Sequence, residues 1–214
     1  RGGWGSARLL EHPMVWQPGW LLGFSDVTSL LWARQAAGLP GGIHGPMLTS
    51  LAAEPAWSQE RLRALLFGEP LPSLVGTPWQ MGQAEGPCLV GNLTVATHLL
   101  GTPHLPDLRG VILLLEDVGE APYRIDRQLT QWRAAGLLDG VRGIGLGRFS
   151  WAEDDVLPGD FSMAEILEER LGSLGLPIVT DLPVGHGRPN LALPLGVSAR
   201  LDGRTGELSL MRAG

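Results

Sequence analysis

Five apolar residues followed by two carboxylates, in the stretch GVILLLEDVGE over residues 110–120, constrain this chain more than any other feature. Val111 to Leu115 form an unbroken run between glycines at 110 and 119. A run this short and this apolar reads as a strand buried on both faces. Such strands belong to sheets covered by helices, and so to an α/β architecture. Glu116 and Asp117 end the run, adjacent residues that a strand points to opposite faces.

Around this strand, 31 Gly and 17 Pro divide the 214 residues into short segments, with no internal repeat. RGGWGSARLL reads as a glycine turn entering a helix, and LLGF, residues 21–24, as a short strand. From Asp26, the residues Val27, Leu30, Leu31 and Arg34 recur at helical spacing until Gly38. SQERLRALLFG predicts a second helix, capped by Ser58 and stopped by Gly68. Residues 69–91 are rich in Pro and Gly and read as a linker followed by short strands. This places a domain boundary near 70. The first domain, 1–70, is a partial doubly wound layer of Rossmann or flavodoxin-like type, and the second, 71–214, is mixed and strand-rich. Beyond the apolar run, YRIDRQLTQWRAAG predicts a helix ended by Gly136, and FSMAEILEERLGSLG one opened by a Ser162–Glu165 capping box. LPIVTDLPVGHGRPN is a strand that breaks into a glycine-flanked loop carrying His186. GIGLG, 143–147, imitates a dinucleotide loop, but RFSWAEDD follows it rather than a helix, so it reads as a turn.

Composition excludes several classes. All 16 basic residues are Arg, the formal net charge is −6, and no Arg-rich run is present to track a phosphate backbone, which argues against nucleic acid. No window approaches the roughly 20 apolar residues of a membrane span. The single cysteine, Cys88, excludes an internal disulfide and reads as a small buried hydrophobe. Metal-ligand spacing such as H-E-x-x-H is absent. The acidic residues 153–155 read as a solvated loop. Arg1 rather than Met opens the sequence inside what reads as a working motif, so an upstream N-terminus, with any signal peptide, is expected.

Ser25 stands where LLGF meets the helix that begins near Asp26. A serine at such a corner is either a helix cap or the nucleophile of a strand-turn-helix elbow, whose first backbone N–H groups can hold an oxyanion. Gly23 matches the first half of G-x-S-x-G, but Val27 stands where the second Gly belongs, and spacing alone leaves both readings open. A nucleophilic serine needs a base, and the base a carboxylate. His12, His98 and His104 lack glycine flanks and read as surface or packing residues, whereas His44 in GIHGPM and His186 in VGHGRPN stand in loops of close backbone approach. Glu116 ends the strongest strand and inherits its rigidity; Glu120 follows Gly119, where the chain is already turning. The two share strand parity but stand about 13 Å apart at 3.3 Å per residue, so only one reaches a given histidine. Glu116 is the better choice, with Glu120 at a helix start or substrate rim.

Six ordered motifs, RGGWG, GFSDVTSL, HGPM, GNL, LLGTP…PDLRGVILLLEDVGEAPYRIDRQL and LPVGHGRPNLALPLG, resemble the LD-carboxypeptidase family of serine peptidases across nearly the whole chain. The resemblance implies Ser25 as nucleophile, Glu116 as triad carboxylate and His186 as base, at a site between two domains. It places the oxyanion donors at the backbone amides of Gly2 or Gly3 and Asp26. His44, Arg124 and Arg127 are substrate-binding candidates. The implied activity is removal of terminal D-alanine from murein tetrapeptides in cytoplasmic cell-wall recycling, with no cofactor or metal and a small peptide as partner; a homodimer is the assembly to test. A microcin-immunity-type peptidase acting on aminoacyl-nucleotide analogues is the alternative within the family, and a catalytically dead peptidoglycan-fragment binding domain the alternative outside it. Members carry further elements before R-G-G that this sequence lacks, so the first domain's sheet is expected to be incomplete. Trp4 replaces a common Tyr, and the usual Lys ahead of the G-[YF]-S-D corner is missing.

Overall fold

The computed structural model describes residues 3–151 and 159–211. Chain order within them runs from β1 (Leu21–Gly23) through α1 (Thr28–Ala36), β2 (Gly42–His44), α2 (Leu48–Leu51) and α3 (Ala56–Leu66) to β3 (Leu74–Val75) and β4 (Thr77–Gln80). It continues with β5 (Gln83–Asn92), α4 (Leu93–Thr97), β6 (Ile112–Val118), α5 (Pro122–Ala134), β7 (Gly143–Ser150) and α6 (Met163–Leu171). The last strands are β8 (Ile178–Thr180), β9 (Leu193–Pro194), β10 (Ser198–Asp202) and β11 (Glu207–Leu210). The result is mixed α/β.

Two sheets organise these elements. The smaller has the order β1-β2-β9, with β1 and β2 parallel and β9 antiparallel to β2. Its third strand thus comes from residues 193–194, far along the chain. Leu22, Ile43 and Ala192 of this layer pack with Leu62 and Leu65 of α3. The larger sheet has the order β3-β11-β10-β5-β6-β7-β8-β4, with β5 to β8 mutually parallel and the flanking strands antiparallel. Its two outermost strands, β3 and β4, are separated by Gly76 alone. The sheet therefore curls until its ends meet, and Gly76 at the join donates its N–H to the carbonyl of Gly206, extending the pairing of β3 with β11.

β6 is central, as its composition requires. Leu113 and Leu115 face one cluster with Ile125, Leu129 and Trp132 of α5 and Ile166 and Leu171 of α6. Ile112 and Leu114 face the other with Val90, Val179, Leu182 and Leu201. Period-two alternation with both faces buried explains the continuous apolar run.

GIGLG is a correction to the sequence reading: residues 143–147 open the buried strand β7, not a turn. A Cβ on Gly145 would stand 2.7 Å from Leu182 Cδ1, and one on Gly147 would stand 2.6 Å from the Val184 carbonyl oxygen. The glycines let neighbouring segments approach the strand backbone. Ser58 is a second correction. α3 starts two residues before it, with Pro55 at the cap position, and the buried Ser58 hydroxyl donates to Glu54 Oε2 at 2.8 Å. The Ser162–Glu165 capping box is present as read, and Gly136, at φ 68°, follows α5.

α1 joins the two sheets. Its Trp32 indole donates to the Val90 carbonyl of β5 at 2.8 Å, and the Asn92 N–H donates to Thr28 Oγ1 at 3.0 Å. A Cβ on Gly91 would meet Thr28 Cγ2 at 2.7 Å, so only glycine admits helix α1 this close.

Candidate active site

Strand β1 ends at Gly23, and the chain turns through Phe24 and Ser25 into a single 3-10 turn, Ser25–Val27, which leads into α1. Ser25 has φ 61°, a left-handed conformation that a residue with a Cβ adopts only at a cost of about 1–3 kcal/mol. Gly23 makes the corner possible, because a Cβ there would lie 2.7 Å from Val27 Cγ1. No side chain caps this helix start, which removes the capping role for Ser25.

The Ser25 hydroxyl instead faces another part of the chain. His186 Nε2 lies 3.1 Å from Ser25 Oγ, and His186 Nδ1 lies 2.8 Å from Glu116 Oε2. The same carboxylate oxygen accepts the His186 backbone N–H at 3.1 Å. Glu116 is fully buried in β6, two residues before its end, His186 is 22% exposed, and Ser25 is partly exposed. The structure therefore brings Ser25, Glu116 and His186 together from three elements. Asp117, on the opposite face of the strand, accepts from the Thr94 N–H of α4 at 2.8 Å, and burial raises its pKa.

Several residues that the sequence reading passed over hold this arrangement. Gly147 and Gly185 clear space for Glu116: their Cβ atoms would fall 3.0 Å from Glu116 Cβ and 2.4 Å from Glu116 Cγ. The Gly185 N–H donates to Asn190 Oδ1 at 2.9 Å, and the Asn190 N–H donates to buried Glu54 Oε2 at 3.0 Å. Arg148 donates to the carbonyls of Pro189 and Arg188, clamping the far side of the loop. Phe24 meets the His186 ring edge-on at 5.0 Å. The glycine spacing in GIGLG and VGHG was the available signal for two of these; nothing in the sequence marked Glu54.

The remaining candidates are placed as follows. The Asp26 carboxylate accepts the Ser6 N–H at 2.8 Å, and its backbone carbonyl accepts the hydroxyls of Ser6 and Ser29, tying the glycine turn of residues 3–5 to the Ser25 corner. As one of the first N–H groups of its helical turn, the Asp26 amide has no place in the intrahelical ladder. Gly3 is exposed at φ 135°, and Gly2 and residues 153–155 lie outside the described residues. Arg124 pairs with Glu120 at 3.5 Å and donates to the Tyr123 hydroxyl, while Arg127 stacks over the Tyr123 ring at 5.0 Å. His44 is corrected from a substrate-binding candidate to an interior residue, because its side chain is fully buried under Phe24. His12 and His98 are exposed and His104 is half-buried. Cys88 is buried, and burial pushes its thiol up to about 12.

Among the described residues no three His, Cys, Asp or Glu gather as metal ligands, and no helix is long and apolar enough to cross a membrane. A groove of about 1390 Å³ lined by Trp16, Trp20, Arg34, Leu65 and Leu195 contains none of Ser25, Glu116 and His186.

Residues 85–201 match the family model of the LD-carboxypeptidase C-terminal domain. The chain belongs to the LD-carboxypeptidase family. It is 54% identical over 214 residues to a protein of Synechocystis sp. that bears a carboxypeptidase name, covering 99% of this chain and 71% of that protein. The murein tetrapeptide carboxypeptidase of Pseudomonas aeruginosa is 35% identical over 227 residues, covering 95% of this chain and 71% of that protein. Among solved structures, muramoyltetrapeptide carboxypeptidase from Oxalobacter formigenes superposes with a TM-score of 0.80 at 29% identity, over 98% of this chain and 75% of that one. The wild-type microcin C7 self-immunity protein MccF shares the fold, with a TM-score of 0.84 at 23% identity over 99% of this chain and 74% of that one. This LD-carboxypeptidase family member is accordingly a peptidase, and so a hydrolase.

Proposed function

We propose that the protein is a serine-type LD-carboxypeptidase that releases the terminal D-alanine of murein tetrapeptides in cytoplasmic peptidoglycan recycling, through a Ser25–His186–Glu116 triad. The observation that carries this reading is the continuous relay from Ser25 Oγ through the imidazole to Glu116, with Ser25 held at positive φ on a strand-to-helix corner. In this reading His186 takes the hydroxyl proton as Ser25 attacks the peptide carbonyl, and Glu116 stabilises the imidazolium. The Asp26 N–H, together with the amide of Gly3 or Gly2, receives the developing oxyanion. His186 then protonates the departing D-alanine amine, and water attacks the acyl-serine by the same route.

The murein tetrapeptide as substrate is supported by the 35%-identical relative that carries that name. The immunity-type reading has in its favour the shared MccF fold at 23% identity, which speaks to fold alone. The test is to incubate the protein with murein tetrapeptide and with its all-L counterpart, following D-alanine release with and without EDTA. Release from the first substrate only, unaffected by chelator, is expected. Equal cleavage of the all-L peptide overturns the stereochemical assignment. An inert protein whose Ser25 ignores a fluorophosphonate points to the binding-domain reading.

A further inference from the structure

Four buried polar atoms beside the Ser25–His186–Glu116 relay have no hydrogen-bond partner among the described residues: Glu116 Oε1, Asn190 Nδ2 of the loop that carries His186, and both ring nitrogens of His44. His44 ends β2, where it pairs with Gly23 of β1, two residues before Ser25, and with Leu193 of β9. Its ring meets Phe24 edge-on at 6.2 Å, and Phe24 meets His186 in the same way at 5.0 Å. Glu116 and His186 are the ionisable groups whose charges reach the His44 ring. The other charged side chains around β2 are engaged elsewhere. Arg34 of α1 donates to the carbonyls of Gln17, Gly19 and Pro40, Arg61 of α3 to those of Pro72 and Ala192, and Asp26 accepts from Ser6. Burial lowers the His44 pKa to about 4, so the ring is neutral, with one donor and one acceptor. Glu116 has one oxygen that takes two donors from His186 and another that takes none.

We propose that His44 is a positioning residue for this triad: its ring N–H serves Glu116 Oε1 through one bound water, keeping Oε2 aimed at His186. The proposal rests on the triad reading above. A buried water with two to four polar partners is ordinary where polar atoms converge, and one ring, Phe24, separates His44 from the histidine that Glu116 bonds. A donor on Oε1 fixes the rotation of the carboxylate and moderates its basicity toward the imidazole. His44 also backs Phe24, whose ring edge limits the tilt of His186. It acts through Glu116 and Phe24, not on substrate, since it presents no surface to solvent.

The test compares wild type, His44→Phe and His44→Gln across pH 5–9, following D-alanine release and the rate of fluorophosphonate labelling of Ser25. His44→Phe keeps the ring shape and loses the donor. It is expected to lower kcat ten- to a hundredfold with KM within threefold, to slow labelling in step, and to move the acid limb to higher pH, because a carboxylate without its donor holds the imidazolium more strongly. His44→Gln keeps an N–H and is expected within fivefold of wild type. Should His44→Phe not fold, the smaller His44→Leu carries the same comparison. Wild-type rates and an unmoved limb in the apolar variant overturn the proposal. Equal losses in the apolar variant and in His44→Gln, with the limb unmoved, also overturn it and leave a packing role. A wild-type protein whose activity survives Ser25→Ala overturns the triad reading and this proposal together, and that outcome is visible before any His44 variant is made.

Discussion

A Cβ on Gly185 would stand 2.4 Å from Cγ of Glu116, so the carboxylate occupies the space that any other residue at position 185 needs for its side chain. Gly185 also has φ 92°, and its N–H is held by Asn190. The loop before His186 is thus shaped around the carboxylate that is hydrogen-bonded to that histidine. Gly185→Ala is expected to cost about 1–3 kcal/mol in stability from backbone strain and to lower turnover at least a hundredfold. Thermal melting and D-alanine release measure the two separately; unchanged turnover would show that the loop relaxes without moving His186.

Ser25→Ala is expected to lower turnover by about 10³ to 10⁶ while peptide binding persists. Its melting temperature should not fall, since alanine in the same conformation loses one hydroxyl and no packing. Retention of more than a tenth of wild-type activity would remove Ser25 as the nucleophile.

The two glutamates of LEDVGE separate by experiment. Glu116 touches His186, and Glu120 pairs with the exposed Arg124. Glu116→Gln keeps the shape and removes the charge that stabilises the imidazolium, so a loss of about 10³ or more is expected, against roughly tenfold or less for Glu120→Gln. Steady-state kinetics of the two variants decide the matter, and the reverse ranking would move the acid to position 120.

His44 makes stability depend on pH. Its folded pKa, about 4, is below the ordinary 6.5, so between these values the unfolded chain binds the extra proton. Its contribution is complete above pH 6.5 and is lost as pH falls toward 4, with an upper bound of about 3 kcal/mol. Denaturant melts should show wild type losing stability over this window and His44→Gln losing less. Parallel curves would assign the acid loss to other groups.

Much of the helical structure was legible because its signals are local. The Ser162–Glu165 box and Gly136 act on neighbours within a turn, and they mark α6 and α5 in sequence and structure alike. The α3 start was misplaced because Ser58, a residue that commonly caps, is used instead as a buried donor to Glu54, whose other partner, Asn190, is 136 residues away. GIGLG was misread for a related reason. Its glycines carry no apolar pattern, and their purpose, admitting Val184, Leu182 and Glu116 against the strand, exists only once those segments are assembled.

By itself the sequence determined that residues 111–115 form a strand buried on both faces, that Ser25 stands at a strand-to-helix corner, and that His186 stands in a glycine-flanked loop. Hydrophobic period and turn chemistry act over a few residues, and any chain carrying them shows them. Only the tertiary structure decided that β9 returns to complete the smaller sheet, that the larger sheet curls until β3 and β4 meet, and that α1 is tied to β5 through Trp32 and Thr28. Those contacts set the 3.1 and 2.8 Å distances of the relay. Ser25 and His186 are 161 residues apart, and no local preference reaches across that interval; the packing of whole layers brings them within a hydrogen bond.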